Sequence, residues 1–426
     1  MALILNLIFL LTKTLSAIKI TPNAFKLYSS FTRNCELVYI NDKVRYGLKA
    51  TKDIHYGDTI MIIPPIYLLS SFEKYPWSGK FKSSSAENQL TVRLLFEKFV
   101  VKENSNRKLL IDSLPSSFSS IFSISDKEKS KFFEYFGQET SIFFVTNCTS
   151  DYGSFIKTQD KSIKNCSECL NYNNYLWACQ AVLTRSYDYY IYDHYLLTQG
   201  KPIVTGENTK GSALIFGADM FNHYPRPGLK NNLNDNGVTY VGEPAHIKYK
   251  ADRIILAGEE VFTSYGSKGN LELYLIHGFI IENNPDDFGI IGILSDKNDC
   301  ERFIREFKFC EFFIKAKELS VEVVNYLFYR ITGTKPKLKK IFDVIEKREK
   351  GIFRTENLVT VFTLYKHILV LNSLSRCKGE VKTGKNFQNI DLLERLCQEN
   401  HKLFMSHIQK LDHFILSIFY NELIKT

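Results

Sequence analysis

Gly217-Ala-Asp-Met-Phe-Asn-His-Tyr224 and Gly258-Glu-Glu-Val-Phe-Thr-Ser-Tyr-Gly-Ser-Lys-Gly-Asn270 are the two stretches of this sequence that decide its fold. The first follows a short apolar run, Ala213 to Phe216, which predicts a buried strand. Polar side chains behind such a strand need hydrogen-bond partners if they are buried with it. The second predicts a strand that ends in a Ser-Tyr-Gly turn at Tyr265, with a helix that starts near Asn270.

A third stretch lies near the N-terminus and reads Arg45-Tyr-Gly-Leu-Lys-Ala-Thr-Lys-Asp-Ile-His-Tyr-Gly-Asp58. Gly47 permits a close approach of its backbone to a ligand, because it carries no side chain. A simple hairpin explains the same residues. Each of the three stretches, taken alone, therefore also fits an ordinary strand or turn.

Composition places the chain among globular proteins. It has 426 residues, of which 44% are hydrophobic and 24% charged, and this excludes disordered, collagen-like and coiled-coil proteins. The length suits two or three domains. The net charge is +9, and residues 297–426 hold 24 Lys and Arg against 16 Asp and Glu. The charge is unevenly placed, but it forms no concentrated basic stripe and its density is typical of solvated helix faces, so we expect no nucleic-acid partner.

The nine cysteines do not resemble a disulfide framework, since their number is odd and the chain is long. Cys166 and Cys169 form a single Cys-x-x-Cys pair. A structural zinc site needs four ligands, and no second pair at suitable spacing accompanies this one. We therefore expect no metal site.

Residues 2–11 are apolar apart from Asn6 and are too few to span a bilayer core of ~30 Å, but they suit a signal peptide. A basic stretch without acidic residues follows up to Cys35, as in a two-part plastid leader. The alternatives are a misassigned start or a hydrophobic helix packed on the domain. A leader over 1–35 predicts a secretory or plastid-type location, and its absence a cytoplasmic one. No other run reaches the ~18 apolar residues of a transmembrane helix, so we expect none in the mature chain.

Hydrophobic periodicity gives the order of the elements. Strand patterns occupy residues 36–40, 48–50, 59–63 and much of 206–265, whereas helical patterns occupy 87–101, 126–136, 172–192, 300–319, 356–374 and 390–424. This order predicts an α+β protein. We expect a sheet domain over 36–290, split by a helical insertion at about 75–210, and then an all-α domain over 291–426.

The three stretches, in their order along the chain (45–58, 217–224 and 258–270), resemble the SET-domain protein methyltransferases. They are most similar to the subgroup that contains the RuBisCO large-subunit lysine methyltransferase and the actin-histidine methyltransferase. Leu94-Leu-Phe-Glu97 with Leu114-Pro115, and Trp177-Ala-Cys-Gln-Ala-Val-Leu-Thr-Arg185, resemble the helical insertion of the same subgroup. The resemblance spans roughly residues 36–290. The remaining tail is similar to the subgroup's helical substrate-binding domain in length and helicity only.

This resemblance implies a SET fold of small β-sheets, in which the Asn-His segment threads through a loop as a pseudoknot beside Tyr265. It also implies the cofactor S-adenosylmethionine. Tyr265 is then the catalytic residue at the point of methyl transfer, and His277 lies in the substrate pocket. The residues implied to bind the cofactor are Gly47, Lys49, Arg185, Asp219, Asn222, His223 and Phe279.

Three departures from the subgroup's pattern stand out. Arg45 occupies the place of the first glycine in Gly-x-Gly, and Arg does not adopt a positive φ as easily as Gly. Tyr224 replaces a small residue after Asn-His. His277-Gly-Phe279 replaces the Tyr-Gly-Phe of the lysine methyltransferases, and the actin-histidine enzyme also lacks that tyrosine.

The resemblance predicts an enzyme that methylates a lysine of a non-histone protein. Many histone-modifying SET proteins carry a Cys-rich zinc segment after the SET domain. This sequence has no such segment after residue 290. Two alternatives remain: methylation of a protein histidine, and a catalytically silent SET module that binds a protein partner. We expect a monomer with a protein substrate, and the positive charge of 297–426 suits an acidic one.

Overall fold

The computed structural model forms two compact units, residues 1–123 with 145–267 and residues 124–144 with 268–426. Each unit has its own apolar core. The structure describes residues 20–41, 45–78, 85–118, 120, 130, 132, 148, 151–157, 161–190, 210–224, 238–243, 246–292, 311–315, 319–332, 355–375 and 388–423. Within these residues, no helix is long and apolar enough to cross a membrane.

The first unit contains ten described strands in three small sheets. They are β1 (Cys35–Asn41), β2 (Arg45–Ala50), β3 (Thr59–Ile63), β4 (Leu68–Ser70), β5 (Ser186–Tyr190), β6 (Lys210–Ile215), β7 (Asn222–His223), β8 (Val238–Glu243), β9 (His246–Ala251) and β10 (Glu260–Thr263). The sheet orders are β1-β2-β10-β7, β3-β9-β8 and β4-β6-β5. Strands β7 and β10 pair in parallel, whereas every other strand pair described in this unit is antiparallel.

The helices of the first unit lie before the strands and in the insertion. They are α1 (Pro22–Phe31), α2 (Ala86–Phe96) with a π-helical turn (Glu97–Val101), α3 (Lys108–Ile111), α4 (Lys161–Lys164), α5 (Ser167–Leu170) and α6 (Tyr172–Arg185). Short 3₁₀ turns occupy Pro65–Tyr67, Lys102–Asn104 and Ala218–Met220. The predicted helix over 87–101 is confirmed. The one over 172–192 is correct only to Arg185, because the residues that follow pair with β6 as a strand.

Helix α1 belongs to the folded core of the first unit. It begins after Thr21, whose hydroxyl accepts a hydrogen bond from the Ala24 amide, and Pro22 suits its first turn. Its buried face carries Tyr28, whose hydroxyl is 2.8 Å from that of Ser113, and Phe31. The predicted leader over 1–35 therefore includes residues that build this core, while its first 19 residues lie outside the described ones.

Packing of α6 against α2 builds the described part of the insertion. Asn171 caps α6 by accepting hydrogen bonds from the amides of Asn173 and Asn174. The Tyr175 hydroxyl donates to the Asn88 side chain of α2 over 2.7 Å, and both residues are buried. These contacts place Arg185, the last residue of α6, at the start of β5.

Two buried residues, Arg93 and Glu97, and two partly buried ones, Glu73 and Arg107, form an ionic cluster on the insertion. Glu97 accepts hydrogen bonds from Arg93 and Arg107 at 2.5 and 2.9 Å, and Glu73 accepts from the same two residues at 3.0 and 2.9 Å. At most 16% of any of these side chains is exposed. Because each charge has partners of opposite sign, the cluster joins the segment around Glu73 to α2 and to residue 107.

The described cysteines contradict the expectation drawn from their number. Cys148 is disulfide-bonded to Cys179 and Cys166 to Cys169, while Cys35 is a buried free thiol. Cys148 and Cys179 are 31 residues apart in sequence, so their pairing depends on the packing of α6. No group of metal-binding side chains occurs among the described residues.

The second unit is mainly helical. Its described elements are α7 (Asn270–Glu272) with a π-helical turn (Leu273–His277), β11 (Phe288–Gly292), β12 (Glu311–Lys315), α8 (Val321–Thr332), α9 (Thr355–Ser375) and α10 (Gln388–Leu423). The helices predicted over 356–374 and 390–424 are confirmed. The helix predicted over 300–319 is wrong at Glu311–Lys315, which pairs with β11 as an antiparallel strand. The expected all-α region thus contains a β-strand, and the helix predicted over 126–136 falls mostly outside the described residues.

The segment that begins at Asn270, the last residue of the stretch Gly258–Asn270, packs within the second unit. The amide and side chain of Asn270 donate hydrogen bonds to Asp287, and the amide of Asn283 donates to Glu399 on α10. Burial raises the pKa of Asp287 to about 6. These contacts explain why the two units divide near residue 268, whereas the domain prediction placed a boundary at 290.

Candidate functional site

Strand β10 brings the three sequence stretches into one sheet. It pairs antiparallel with β2, with Glu260 opposite Lys49 and Val261 opposite Leu48. On its other edge it pairs in parallel with β7, with Phe262 opposite Asn222. The amide of Tyr224 extends this pairing by donating to the Thr263 carbonyl over 3.0 Å. A two-residue strand from the middle of the chain is thereby held beside the Ser-Tyr-Gly turn.

Tyr265 is fixed at both ends by the segment that contains β7. Its phenolic hydroxyl donates a hydrogen bond to the carbonyl oxygen of Phe221 over 3.0 Å. Its amide donates to Nδ1 of His223 over 3.0 Å, and the two rings are stacked with centroids 5.0 Å apart. Because Nδ1 accepts this hydrogen bond, a neutral His223 carries its proton on Nε2. The structure therefore places Tyr265 beside the Asn-His segment.

Asn222 joins β7 to the N-terminal stretch, residues 45–58. Its side-chain amide donates to the Tyr46 carbonyl over 3.2 Å and to Oε1 of Glu260 over 2.6 Å. A Cβ atom on Gly47 would lie 2.7 Å from the Asn222 nitrogen and 2.6 Å from the Glu260 oxygen. Only a glycine therefore fits at position 47 while Asn222 keeps its place.

Arg45, the first departure from the subgroup's pattern, adopts the backbone conformation that usually requires glycine. Its φ is 69°, in the left-handed region. Arg45 therefore adopts a turn conformation that glycine would adopt more easily. The exposed side chain of Lys49 lies farther along the same strand, opposite Glu260.

Arg185 and Asp219 form a second group of predicted site residues in the same unit. Nε of Arg185 is 3.8 Å from Oδ2 of Asp219, and neither atom has a hydrogen-bond partner among the described residues. Oδ1 of Asp219 accepts a hydrogen bond from the Gly217 amide over 2.8 Å. The Arg185 guanidinium also lies 5.1 Å from the ring centroid of Phe118. An arginine nitrogen and a carboxylate oxygen thus remain available to a polar ligand.

Burial dominates the electrostatics of these groups. It lowers the pKa of Arg185 and raises the pKa of Asp219, and the attraction between the two charges opposes both shifts. Burial also raises the pKa of Tyr265 to about 12, although the positive charge of Arg185 acts against this increase. The phenol of Tyr265 is therefore protonated at neutral pH and can keep donating to Phe221.

Sequence reasoning missed Tyr28 and Tyr187, whose side chains surround the Arg185–Asp219 pair. The Tyr187 hydroxyl donates to the Ala218 carbonyl over 2.8 Å, next to Asp219. The charges of Arg185 and Asp219 both influence the pKa of Tyr28, which burial raises. In a chain with 24 tyrosines, no sequence signal singles these two out.

His277 and Phe279 belong to the second unit. Their ring centroids are 6.0 Å apart, and Gly278 between them has a φ of 73° that ends the π-helical turn. The other predicted site residues, namely Gly47, Lys49, Arg185, Asp219, Asn222, His223 and Tyr265, all lie in the first unit. The roles predicted for His277 and Phe279 stay predictions.

The strand arrangement agrees with comparisons to known proteins. The chain is 26% identical over 268 residues to actin-histidine N-methyltransferase of Gallus gallus and 24% identical over 252 residues to that of Danio rerio. These matches cover 60% and 57% of this chain, but only 41% and 39% of the relatives. The chain thus spans about two-fifths of the length of the curated relatives it matches.

Solved structures of Rubisco LSMT share the fold. The structure bound to AdoMet has a TM-score of 0.63 and 15% identity, and covers 94% of this chain and 93% of that chain. The structure bound to methyl-lysine and AdoHcy has a TM-score of 0.64 and 16% identity, and covers 94% of each chain. The predicted fold of small sheets with a helical C-terminal region is thereby confirmed.

The SET domain family matches residues 45–266 of this chain, which run from the start of β2 to the turn after Tyr265. This range covers more than half of the chain and contains the strands β2, β7 and β10, which pair in one sheet. The chain therefore belongs to the SET-domain family.

Proposed function

We propose that this protein is an S-adenosylmethionine-dependent methyltransferase that methylates a lysine side chain of a non-histone protein. The observation that carries the proposal is the parallel pairing of β7 with β10, which holds the Tyr265 hydroxyl on the Phe221 carbonyl. Membership of the SET-domain family and the fold shared with Rubisco LSMT bound to AdoMet support it.

The residues of the first unit fit the proposed cofactor. Arg185 has an unbonded Nε atom and suits a carboxylate, because a guanidinium recognises carboxylates with two parallel hydrogen bonds. Gly47 carries no side chain and thereby leaves room for the Asn222 amide, which we also assign to the cofactor. Asp219 has an unbonded, buried carboxylate oxygen that suits an ammonium group. We assign Arg185, Asp219, Asn222 and the backbone of Gly47 to cofactor binding, with Lys49, His223 and Phe279 as further contacts.

The cofactor supplies a methyl group on a positively charged sulfur, and the protein must present a neutral nitrogen to it. A free lysine has a pKa of about 10.4 and is mostly protonated at neutral pH. Burial at the transfer point and a positive charge nearby would both disfavour the ammonium form. The lysine would release its proton to solvent before it receives the methyl group, because only the neutral amine has a lone pair for the new nitrogen–carbon bond.

Tyr265 orients the acceptor nitrogen. Because its pKa is raised to about 12, it does not serve as the general base at neutral pH. The Tyr265 hydroxyl donates its proton to the Phe221 carbonyl, and we assign its oxygen to accept a hydrogen bond from the N–H of the acceptor amine. Methyl transfer would require the sulfur, the methyl carbon and the acceptor nitrogen to lie in a line, so positioning makes the main contribution to the rate.

Replacement of Tyr265 by Phe tests this role. We expect Tyr265→Phe to lower turnover about 100-fold or more and to leave the affinity for S-adenosylhomocysteine within about twofold. Arg185→Ala is expected to weaken that affinity, measured by isothermal titration. Tyr56→Phe is the matched control, because the Tyr56 side chain is 77% exposed. Full activity of Tyr265→Phe would exclude Tyr265 from the mechanism.

Histidine methylation is the second candidate. Two observations favour it: the curated relatives are actin-histidine N-methyltransferases, and His277 stands before Gly278-Phe279 where the lysine enzymes have tyrosine. Mass spectrometry of proteins methylated by the purified chain in a lysate of its own organism decides between the two. Methyl-lysine in the product supports lysine methylation, and methyl-histidine supports histidine methylation.

A catalytically silent SET module is the third possibility. Arg45 and His277 are its sequence support, although Arg45 has a φ of 69°, in the left-handed region that glycine adopts most easily. An absence of heat and of competition on titration with S-adenosylhomocysteine would favour this module over both enzymes. Saturable binding that Arg185→Ala abolishes would favour the enzymes.

A further inference from the structure

Cysteine pairing is a feature of this chain that the proposed function does not use. Six cysteines are among the described residues, and Cys35 is the free one. The other five are all disulfide-bonded: Cys148 with Cys179, Cys166 with Cys169, and also Cys397 in the second unit. Free thiols are the rule in reducing compartments, where disulfides are rare.

The two disulfides of the first unit lie along helix α6. Cys179 is in the middle of α6, and its Cα atom is 6.0 Å from that of Cys148. Cys166 caps α5 and Cys169 lies within it, and α5 ends directly before the Asn171 cap of α6. Arg185 is the last residue of α6. The Cys148–Cys179 bond thus constrains the helix that carries this arginine, and the Cys166–Cys169 bond constrains the short helix that leads into it.

Burial indicates that these disulfides are structural and not exchange sites. A redox-active Cys-x-x-Cys pair needs an accessible attacking sulfur. Here Cys169 is fully buried, Cys148 is 1% exposed, and Cys166 and Cys179 are each 7% exposed. Small reductants and partner thiols therefore have little access to any of the four sulfurs in the folded protein.

We infer that the protein matures in an oxidising compartment, where the Cys148–Cys179 and Cys166–Cys169 disulfides form and hold α6 in place. Each bond joins two thiols, and the two electrons and two protons released pass to a thiol–disulfide oxidant such as oxidised glutathione or a protein disulfide. The inference does not depend on the proposed methyl transfer. It agrees with the export expected from the apolar run at residues 2–11.

Trapping thiols in cells tests the inference on the unmodified protein. Cells of the source organism are lysed in denaturant with N-ethylmaleimide, and the chain is digested and analysed by mass spectrometry. We expect a linked peptide pair that contains Cys148 and Cys179, and N-ethylmaleimide on Cys35. Quantitative alkylation of Cys148, Cys166, Cys169 and Cys179 would overturn the inference.

Variants of the purified, oxidised chain give a second readout. Cys148→Ser and Cys179→Ser are each expected to lower the thermal midpoint by about 5 °C, and the double variant by no more than either, because one bond is lost in all three. Reduction of the wild type with dithiothreitol in denaturant, followed by refolding with the reductant present, should bring its midpoint at least as low as that of the variants, because the Cys166–Cys169 bond is lost as well. Cys35→Ser is the control and should keep the response to this reduction. A wild-type midpoint that reduction in denaturant leaves unchanged would overturn the inference.

Discussion

The strands around Tyr265 and the helical insertion hold their parts of the site in different ways. The strand region relies on close packing, since Asn222, Glu260 and Gly47 leave no space for a single extra carbon. The insertion relies on pairing of buried charges, since Glu73, Arg93, Glu97 and Arg107 neutralise one another. The strand region should therefore be sensitive to added volume, and the insertion to removed charge.

Removal of Glu97 is expected to have the largest effect on stability. Glu97→Ala leaves the buried Arg93 and the partly buried Arg107 with Glu73 as their one remaining carboxylate in the cluster. Breaking a buried ion pair from one side typically costs about 3–5 kcal/mol, because the remaining charge loses its partner, and Glu73 should keep the cost at the lower end of this range. Denaturant unfolding measures the change in the free energy of unfolding.

Glu103→Ala is the matched control for Glu97→Ala. The Glu103 side chain is 82% exposed and pairs with Lys108 over 3.3 Å, so its loss should leave the unfolding curve unchanged. Equal unfolding free energies for the two variants would show that the buried cluster does not hold the insertion.

Addition of one methyl group at Gly47 is expected to have the next largest effect. Gly47→Ala forces the Asn222 amide away from the Tyr46 carbonyl and from Glu260, because the new Cβ would lie within 2.7 Å of it. Overpacking of this kind costs about 1–3 kcal/mol. The affinity for S-adenosylhomocysteine, measured by titration, should fall about tenfold or more.

Gly153→Ala provides the control for the same change in the insertion. A Cβ atom on Gly153 meets no other atom within 4 Å, and the residue lies in a helical stretch. Alanine there should stabilise the protein by about 0.5–1 kcal/mol and leave cofactor affinity unchanged. If both glycine variants behaved alike, tight packing at Gly47 would not be what maintains the site.

Local patterns predicted the strands that flank the site, because alternating burial over five to seven residues is a short-range property. Residues 59–63 and 36–40 were expected as strands and are observed as such, with two residues added to the latter. The predicted helix at 300–319 failed where Glu311–Lys315 pairs with β11, because short apolar runs fit either structure until a partner strand is known.

Long-range pairings were beyond the reach of spacing alone. Asn222 and Glu260 are 38 residues apart, and no prediction paired them; resemblance to a family implied only that the Asn-His segment lies beside Tyr265. The Cys148–Cys179 bond was missed for the same reason, since sequence does not show which distant cysteines meet. Arg185 and Asp219 come together only because α6 ends where β6 begins to pair with β5.

The smallest expected effect concerns Arg45, at the edge of the strand region. Arg45 has a φ of 69°, which costs an L-residue about 1 kcal/mol, and its positive charge also lowers the pKa of Arg185. Arg45→Gly relieves both, but the more flexible glycine loses more entropy on folding. The net gain should be about 0.5 kcal/mol, seen as a small rise in thermal midpoint.

Asn34→Gly separates the contribution of the backbone from that of the charge. Asn34 has a φ of 60°, but asparagine tolerates this conformation better than arginine does, so its replacement should not stabilise the protein. A rise for Arg45→Gly alone shows that the turn at Arg45 keeps its shape against the preference of its own residue. A fall would mean that the arginine side chain makes contacts whose loss outweighs the relief of strain, and packing would then not be the sole requirement of the strand region.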